Sequence, residues 1–429
     1  MSEEQTPGVK VPEPPKVRAQ LPSGELQDPW KTPIDRLDVS DSRLYQQDAW
    51  RPYFERLRAE DPVHFTSESP FGPYWSITTH ADVLEVEGRP DVFSSFPTIA
   101  IGDSPDDQYI ANFISMDPPK HDEQRKTVAP VVAPRNLMRL EPVIRGHVTD
   151  ILDALPDDGT EFDWVDRVSI ELTTRMLATI FDFPFAERRK LTYWSDLSIG
   201  SPETTGMDEG PAVEEVQAGL TDMANTFMGL WQERANGDPS DRNDLITMLA
   251  HGETTRDMIS RPLEFLGNIM LLIVGGNDTT RNSISGGVLA LNQFPDEYAK
   301  LRSDHSLIPN MVSEIVRWQT PVLHMRRTLL SDYEIGGKQM KAGDKVVLWY
   351  ISANRDESMH PNADQLIIDR PDARKHASFG FGIHRCMGNR LAEMQLRTLW
   401  EEIMKRFDRF EVTGPERRLK SNFIRGILE

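Results

Sequence analysis

The chain of 429 residues holds a single cysteine, Cys386. That excludes an internal disulfide and any four-cysteine zinc or iron–sulfur site, and it suits a reducing compartment. Basic residues are scarce beside acidic ones: 48 Lys and Arg against 68 Asp and Glu leave a formal charge of −20. A general nucleic-acid binder, which needs clustered cations, is not expected. Long apolar runs are missing as well. The most apolar stretch, 266–276, falls short of the roughly 20 residues that a membrane span needs. The opening Met1-Ser2-Glu3-Glu4 lacks the basic-then-apolar pattern of a secretory signal. A cytoplasmic protein without a membrane anchor is expected.

What is present reads as one mainly helical domain. Residues 1–35 are rich in Pro, Glu and Lys and predict a flexible tail, with the domain filling 36–429. Apolar residues spaced by three and four predict helices near 48–61, 136–154, 163–181, 211–236, 261–293 and 309–320, and a last one over 389–406. The stretch 261–293 is the longest. A short strand is predicted over 74–79, and a small sheet with hairpin turns over 331–353, where Gly336-Gly337 and Gly343-Asp344 punctuate apolar runs. Residues 96–112 mix Pro, Gly and Asp and predict a long loop, of the kind that often carries function.

A lone cysteine is by default a small buried hydrophobe. Its surroundings argue otherwise. The segment Phe379-Gly380-Phe381-Gly382-Ile383-His384-Arg385-Cys386-Met387-Gly388 carries three glycines, which permit unusual backbone angles and close approach to a flat partner. The cysteine stands just before a helix, whose N-terminal amides favour a thiolate. The spacing Phe-Gly-x-Gly-x-His-x-Cys-x-Gly resembles that of the cytochrome P-450 superfamily, in its soluble bacterial form, over about residues 40 to 425. The resemblance implies the single-domain fold of that family, mainly α with a minor β region. It also implies a haem b whose iron takes Cys386 as axial ligand, with Phe379, Gly380 and Gly388 around the ring and His384 bonding a propionate.

Other constellations can be read in two ways from the residues alone. Gly275-Gly276-Asn277-Asp278-Thr279-Thr280 places two glycines in a helix interior, at about 1 kcal/mol each relative to alanine. The polar residues beside them are either a solvated face or a local opening of the helix. By resemblance this is the oxygen-binding helix, with Thr279 ordering water at bound O2 and Asp278 feeding it protons. His121 and Arg125, four apart on a predicted helix, are either a solvated pair or, as in bacterial members, propionate ligands together with Arg327. Glu314 and Arg317 are three apart. Such pairs are mostly surface ion pairs; in the family this one is structural, with Arg370 as a third partner.

Three stretches, 115–122, 272–283 and 317–321, resemble bacterial alkane and fatty-acid terminal hydroxylases. By position Ile99, Ile101, Leu271, Val274, Gly275, Val322 and Leu323 should line the substrate pocket, although apolar residues at such spacing equally make plain core. The implied reaction inserts one oxygen atom of O2 into an unactivated C–H bond of a hydrophobic small molecule. No flavin or ferredoxin segment is visible, so electrons from NAD(P)H should arrive through a separate ferredoxin and its reductase. A terpene or steroid substrate stays open, as does a haem-thiolate gas sensor, although the Asp278-Thr279 pair counts against the latter. Similar proteins usually continue through another short strand after the segment matching 422–424, whereas this sequence ends at Glu429.

Overall fold

A computed structural model describes residues 21–103, 110–201, 205–207 and 211–429. The architecture is mainly helical with a small sheet. Its axis is the helix Pro262–Gln293, 32 residues long and so about 48 Å from end to end. Pro262 occupies the first turn, where its missing N–H is no loss. The helix packs against Glu171–Phe181, Arg189–Ser198, Ile308–Gln319 and Asn389–Arg406. Its two ends serve different cores. Phe265, Leu266, Ile269 and Ile273 join one apolar cluster, and Ile284, Val288 and Leu291 join another. The segment between them, 274–283, is left to polar work.

The predicted helices appear at Arg51–Glu60, Pro134–Asp153, Val213–Ala235, Ile308–Gln319 and Asn389–Arg406. The expected helix over 163–181 is composite: a π-helical turn, Val165–Ile170, runs into an α-helix from Glu171. The π turn sits where Ser169 Oγ meets Ser285 Oγ of the long helix at 2.8 Å. The expected tail, 1–35, lies outside the described residues as far as residue 20. Beyond it the expectation of flexibility needs correcting. Leu21, Leu26 and Ile34 pack on the core cluster of Trp50, Phe54 and Trp349, and Arg56 Nη1 donates to the carbonyl of Thr32 at 2.6 Å.

The sheet exceeds the prediction. Strands β1 (Val63–Thr66), β2 (Tyr74–Ile77), β3 (Phe93–Ser94), β4 (His324–Leu329) and β7 (Lys345–Trp349) form one five-stranded sheet in the order β1-β2-β7-β4-β3. All pairs are antiparallel except β2–β7, where Trp75 lies opposite Val346. A separate hairpin joins β5 (Tyr333–Ile335) to β6 (Lys338–Met340). Gly336 and Gly337 turn it at φ +55° and +73°, the left-handed pair that a tight hairpin demands. β4 escapes a period-of-two reading because its polar residues are buried. Arg326 N–H donates to the carbonyl of Ile99 at 2.8 Å. His324 Nε2 accepts from Ile101 N–H at 3.1 Å, and its Nδ1–H donates to the carbonyl of Asn422 at 2.8 Å. Among the described residues no helix is long and apolar enough to cross a membrane.

Glu314 and Arg317 have no exposed side-chain surface and meet in a fork–fork pair at 2.7 Å, so they are no surface ion pair. Arg370 Nε reaches the same carboxylate at 3.1 Å. The remaining guanidinium hydrogens of Arg317 bond the carbonyls of Asn354, Ala363 and Gln365.

Truncating one partner of a buried, hydrogen-bonded pair leaves an uncompensated charge, at a cost of about 3–5 kcal/mol. Glu314→Ala should therefore lower the denaturation midpoint of the holoenzyme markedly. A midpoint equal to that of the native chain, followed by tryptophan fluorescence, would contradict this account of the pair.

Burial depresses the pKa of His324 to about 3, against about 6.5 for an unfolded histidine. Below pH ~6.5 the unfolded chain binds a proton that the folded ring refuses. Stability is then complete above that pH and falls by up to ~1.4 kcal/mol per unit as pH drops toward 3. Protonation would also destroy the acceptor that holds Ile101. His324→Gln should flatten this acid limb of stability against pH, and an unchanged slope in thermal melts would refute the assignment.

Candidate active site

The cysteine loop is built from its glycines outward. Gly380 and Gly382 stand at φ +63° and +65°, where a β-carbon is disfavoured. Space forbids one as well: a Cβ on Gly382 would lie 2.2 Å from the carbonyl oxygen of Glu87. The loop doubles back so that Cys386 N–H donates to the Phe379 carbonyl at 2.7 Å. Cys386 is accessible, yet burial pushes its thiol pKa up, opposed by the N–H groups of Gly388 and Asn389 and by Arg125. A side chain that is both accessible and enclosed by protein faces an interior cleft. The amides opposing the shift are the first of the helix Asn389–Arg406, as the sequence suggested. Gly388 has an ordinary φ of −84°, and an added Cβ would meet no atom within 4 Å. Its value is the amide.

Around the cleft the chain gathers cationic and imidazole side chains, and several of the ring nitrogens have no partner. The rings of His121 and His384 lie 4.3 Å apart. His121 Nδ1 bonds Asp122 at 2.7 Å, but His121 Nε2 and both ring nitrogens of His384 are buried without a partner. Burial holds the pKa of His384 far below the usual range, and Arg327, His121 and Arg125 press it in the same direction. Arg125 reaches the carbonyl of Arg385 through Nη2, and Arg327 is buried beside Glu87 at 3.5 Å. Orphaned buried donors are expensive. Two arginines and two histidines on one rim call for acidic acceptors. Iron protoporphyrin carries two carboxylates on a flat apolar ring, so this donor set beside an accessible cysteine fits it. Phe379, half-buried at the edge of the core with its ring 5.0 Å from that of His376, begins the loop.

The polar segment of the long helix serves two sides. Gly275 is exposed within an otherwise packed helix, and a Cβ there would enter open space. At Gly276 a Cβ would press within 2.7 Å of Leu177. One glycine opens the cleft and the other admits a neighbouring helix. Thr279, half-buried, donates its hydroxyl to the Gly275 carbonyl at 2.9 Å. Asp278 turns the other way and is fully buried. Its carboxylate accepts from Ser195 Oγ at 2.5 Å and pairs with Arg281, which also holds Asp196 at 3.0 Å. Adjacent in sequence, Asp278 and Thr279 thus diverge around the helix. Ser195 and Arg281 carried no sequence signal, because they matter only through this contact.

The expected pocket residues divide. Ile99, Leu271, Val274 and Val322 are half-buried and Gly275 is exposed. Ile101 and Leu323 have no exposed surface and belong to the core around Tyr45, Trp50 and Trp349. Phe423, half-buried with its ring 5.3 Å from His324, is a wall candidate that the positional reading left out.

The family described as Cytochrome P450 matches residues 211–427. Linalool 8-monooxygenase of Pseudomonas putida is 36% identical over 92% of this chain and 98% of its own length. Methyl-branched lipid omega-hydroxylase of Mycobacterium tuberculosis is 32% identical over 92% of this chain and 95% of its own. The structure of cytochrome P-450-153 from Novosphingobium aromaticivorans superposes with a TM-score of 0.85 at 47% identity, covering 91% of this chain and 98% of the other. Together with the accessible cysteine and the glycine turns of its loop, these matches have one meaning: the chain belongs to the cytochrome P-450 family of haem-thiolate monooxygenases.

Proposed function

We propose that this enzyme hydroxylates the terminal methyl of medium-chain alkanes or fatty acids. The reading rests on four half-buried apolar residues, Ile99, Leu271, Val274 and Val322, which the resemblance puts at the substrate. An unbranched hydrocarbon end needs nothing else from a pocket. The similarity to a lipid omega-hydroxylase supports it. A second reading, a terpene alcohol hydroxylated at a methyl, is favoured by the similarity to linalool 8-monooxygenase.

In this reading the sulfur of Cys386 would hold the iron of haem b. When bound, haem supplies an iron at which O2 is reduced and one oxygen atom is inserted into a C–H bond. The rest is the work of side chains. The Phe379 carbonyl fixes the Cys386 backbone, and the amides of Gly388 and Asn389 hold negative charge on its sulfur. His121, Arg125, Arg327 and His384 take the propionates. Thr279 offers a hydroxyl to the cleft. Asp278 moves protons toward it from the half-exposed Asp196, by leaving Arg281 and Ser195. Electrons derive from NAD(P)H and come from a ferredoxin and its reductase. The exposed Arg385 and Arg390 give an acidic ferredoxin a local cationic face on a chain of charge −20.

Thr279→Ala should keep substrate binding and waste electrons: product per NAD(P)H falls while hydrogen peroxide rises. Asp278→Asn should slow the whole cycle instead. Normal coupling and rate in both variants would remove the pair from proton delivery.

Regiochemistry tests the substrate. A primary C–H bond is harder to break than its secondary neighbours, so terminal attack requires a channel that admits only the last methyl. Affinity should rise by roughly fourfold per methylene, about 0.8 kcal/mol each, until the channel is full. Val322→Ala, which widens the wall, should divert product from primary to secondary alcohols. Gas chromatography over a chain-length series decides. Mostly secondary alcohols from the native enzyme, or turnover of linalool alone, would defeat the hydrocarbon reading and leave the P-450 assignment standing.

A further inference from the structure

Glu87 closes the helix His80–Glu87, far in sequence from the cysteine loop, and its side chain is 1% exposed. Its Oε2 accepts from Phe381 N–H at 2.7 Å. Its Oε1 accepts from Tyr350 Oη at 2.5 Å and from Arg327 Nη2 at 3.5 Å. Phe381 N–H and Arg327 can only donate, and both favour a carboxylate against burial, which pushes the Glu87 pKa up. The loop is also moulded onto this residue. A Cβ on Gly380 would stand 3.2 Å from Glu87 Oε1 and 3.3 Å from Tyr350 Oη, and one on Gly382 would collide with the Glu87 carbonyl. The two left-handed glycines of the cysteine motif therefore face Glu87.

We infer that Glu87 is the positioning residue of the thiolate loop: its carboxylate fixes the loop backbone at Phe381 and balances the charge of Arg327 beside the haem site. The inference rests on Cys386 being the iron ligand. It goes beyond that reading by giving a buried acid outside the motif two tasks. One is mechanical, because the bond at Phe381 N–H locks the turn that aims the sulfur. The other is electrostatic, because a buried negative charge so close to the site opposes electron uptake, and Arg327 is divided between Glu87 and a propionate.

The test is Glu87→Gln in the holoenzyme, a near-isosteric change that removes the charge and an acceptor. Exchange of the Phe381 amide hydrogen should speed up about tenfold, the factor that ~1.4 kcal/mol of lost bonding gives. The thiolate-type absorption band of the reduced carbon monoxide complex should decay to the thiol-type band several-fold faster in mild denaturant. The haem reduction potential should move to more positive values. Glu85→Gln on the same helix, whose partner is the exposed-side Tyr333 hydroxyl at 2.8 Å, should leave all three unchanged. A Glu87→Gln protein that merely melts earlier, with native potential and band lifetime, overturns the inference. Should that variant not fold, Tyr350→Phe, which strips a donor from the carboxylate and leaves its charge less neutralised, must move the potential to more negative values and shorten the band lifetime, and native values there overturn it equally. A Cys386→Ser protein that retained the thiolate-type band would sink the ligand assignment instead, while the Phe381 amide in Glu87→Gln would still exchange faster.

Discussion

A buried arginine has to find an acceptor for every hydrogen it carries, and Arg317 cannot do so on its own helix. Glu314 takes two of its hydrogens, and three carbonyls between Asn354 and Gln365 take others. The irregular stretch before the cysteine loop is thereby wrapped around one side chain. Asn354 continues the linkage. Its Oδ1 accepts from Ala377 N–H at 2.7 Å, and its Nδ2 donates to Ser378 Oγ at 2.7 Å, which in turn donates to the Val316 carbonyl at 2.9 Å. Phe379 comes next, and with it the loop that carries the sulfur. The ion pair stands about sixty residues before the motif in sequence, yet it sets where the motif begins. Its desolvation is tolerable only because so many acceptors converge, which is also why the stretch from 354 to 378 needs no regular secondary structure to be held.

The long helix meets a different constraint. It must be packed on all sides at its ends and open on one side at its middle. The change of partner from one apolar cluster to the other leaves a polar gap between Ile273 and Ile284, and the gap holds the chemistry. Gly275 gives access and Gly276 gives close packing. Thr279 faces one direction and Asp278 the other, as a helical step of about 100° per residue requires. The acid is therefore stored in an ionic and hydroxyl network with Arg281, Ser195 and Asp196, and the threonine hydroxyl stays on the Gly275 carbonyl. Separating the two side chains by one helical step lets the protein keep the carboxylate among its own partners while the hydroxyl points elsewhere.

Much of this was legible in the sequence because the informative residues lie close together in it. The cysteine loop, the four-residue spacing of His121 and Arg125, and the three-residue spacing of Glu314 and Arg317 are local patterns, and local geometry fixes what they can do. Helix positions followed from apolar spacing for the same reason. The rest depended on contacts between distant segments. Glu87 meets the cysteine loop from almost three hundred residues away, and Ser195 meets Asp278 from another helix. β4 was missed because tertiary pairing buries His324, Arg326 and Arg327 where a strand pattern expects apolar residues. Ile101 and Leu323 look like pocket residues by position, and only the register of the loop against β4 turns them into the core.

That last displacement changes where selectivity has to reside. Ile101 and Leu323 touch the cluster around Trp349, so their bulk cannot narrow a channel directly. What they fix is backbone. Ile101 N–H is held by His324, the Ile99 carbonyl by Arg326 N–H, and Leu323 N–H by the carbonyl of Phe423 at 2.8 Å. Three segments remote in sequence, 99–101, 322–324 and 422–423, are locked into one wall by main-chain bonds and a neutral histidine. Main-chain bonds of this kind hold the three segments in register without help from side-chain bulk.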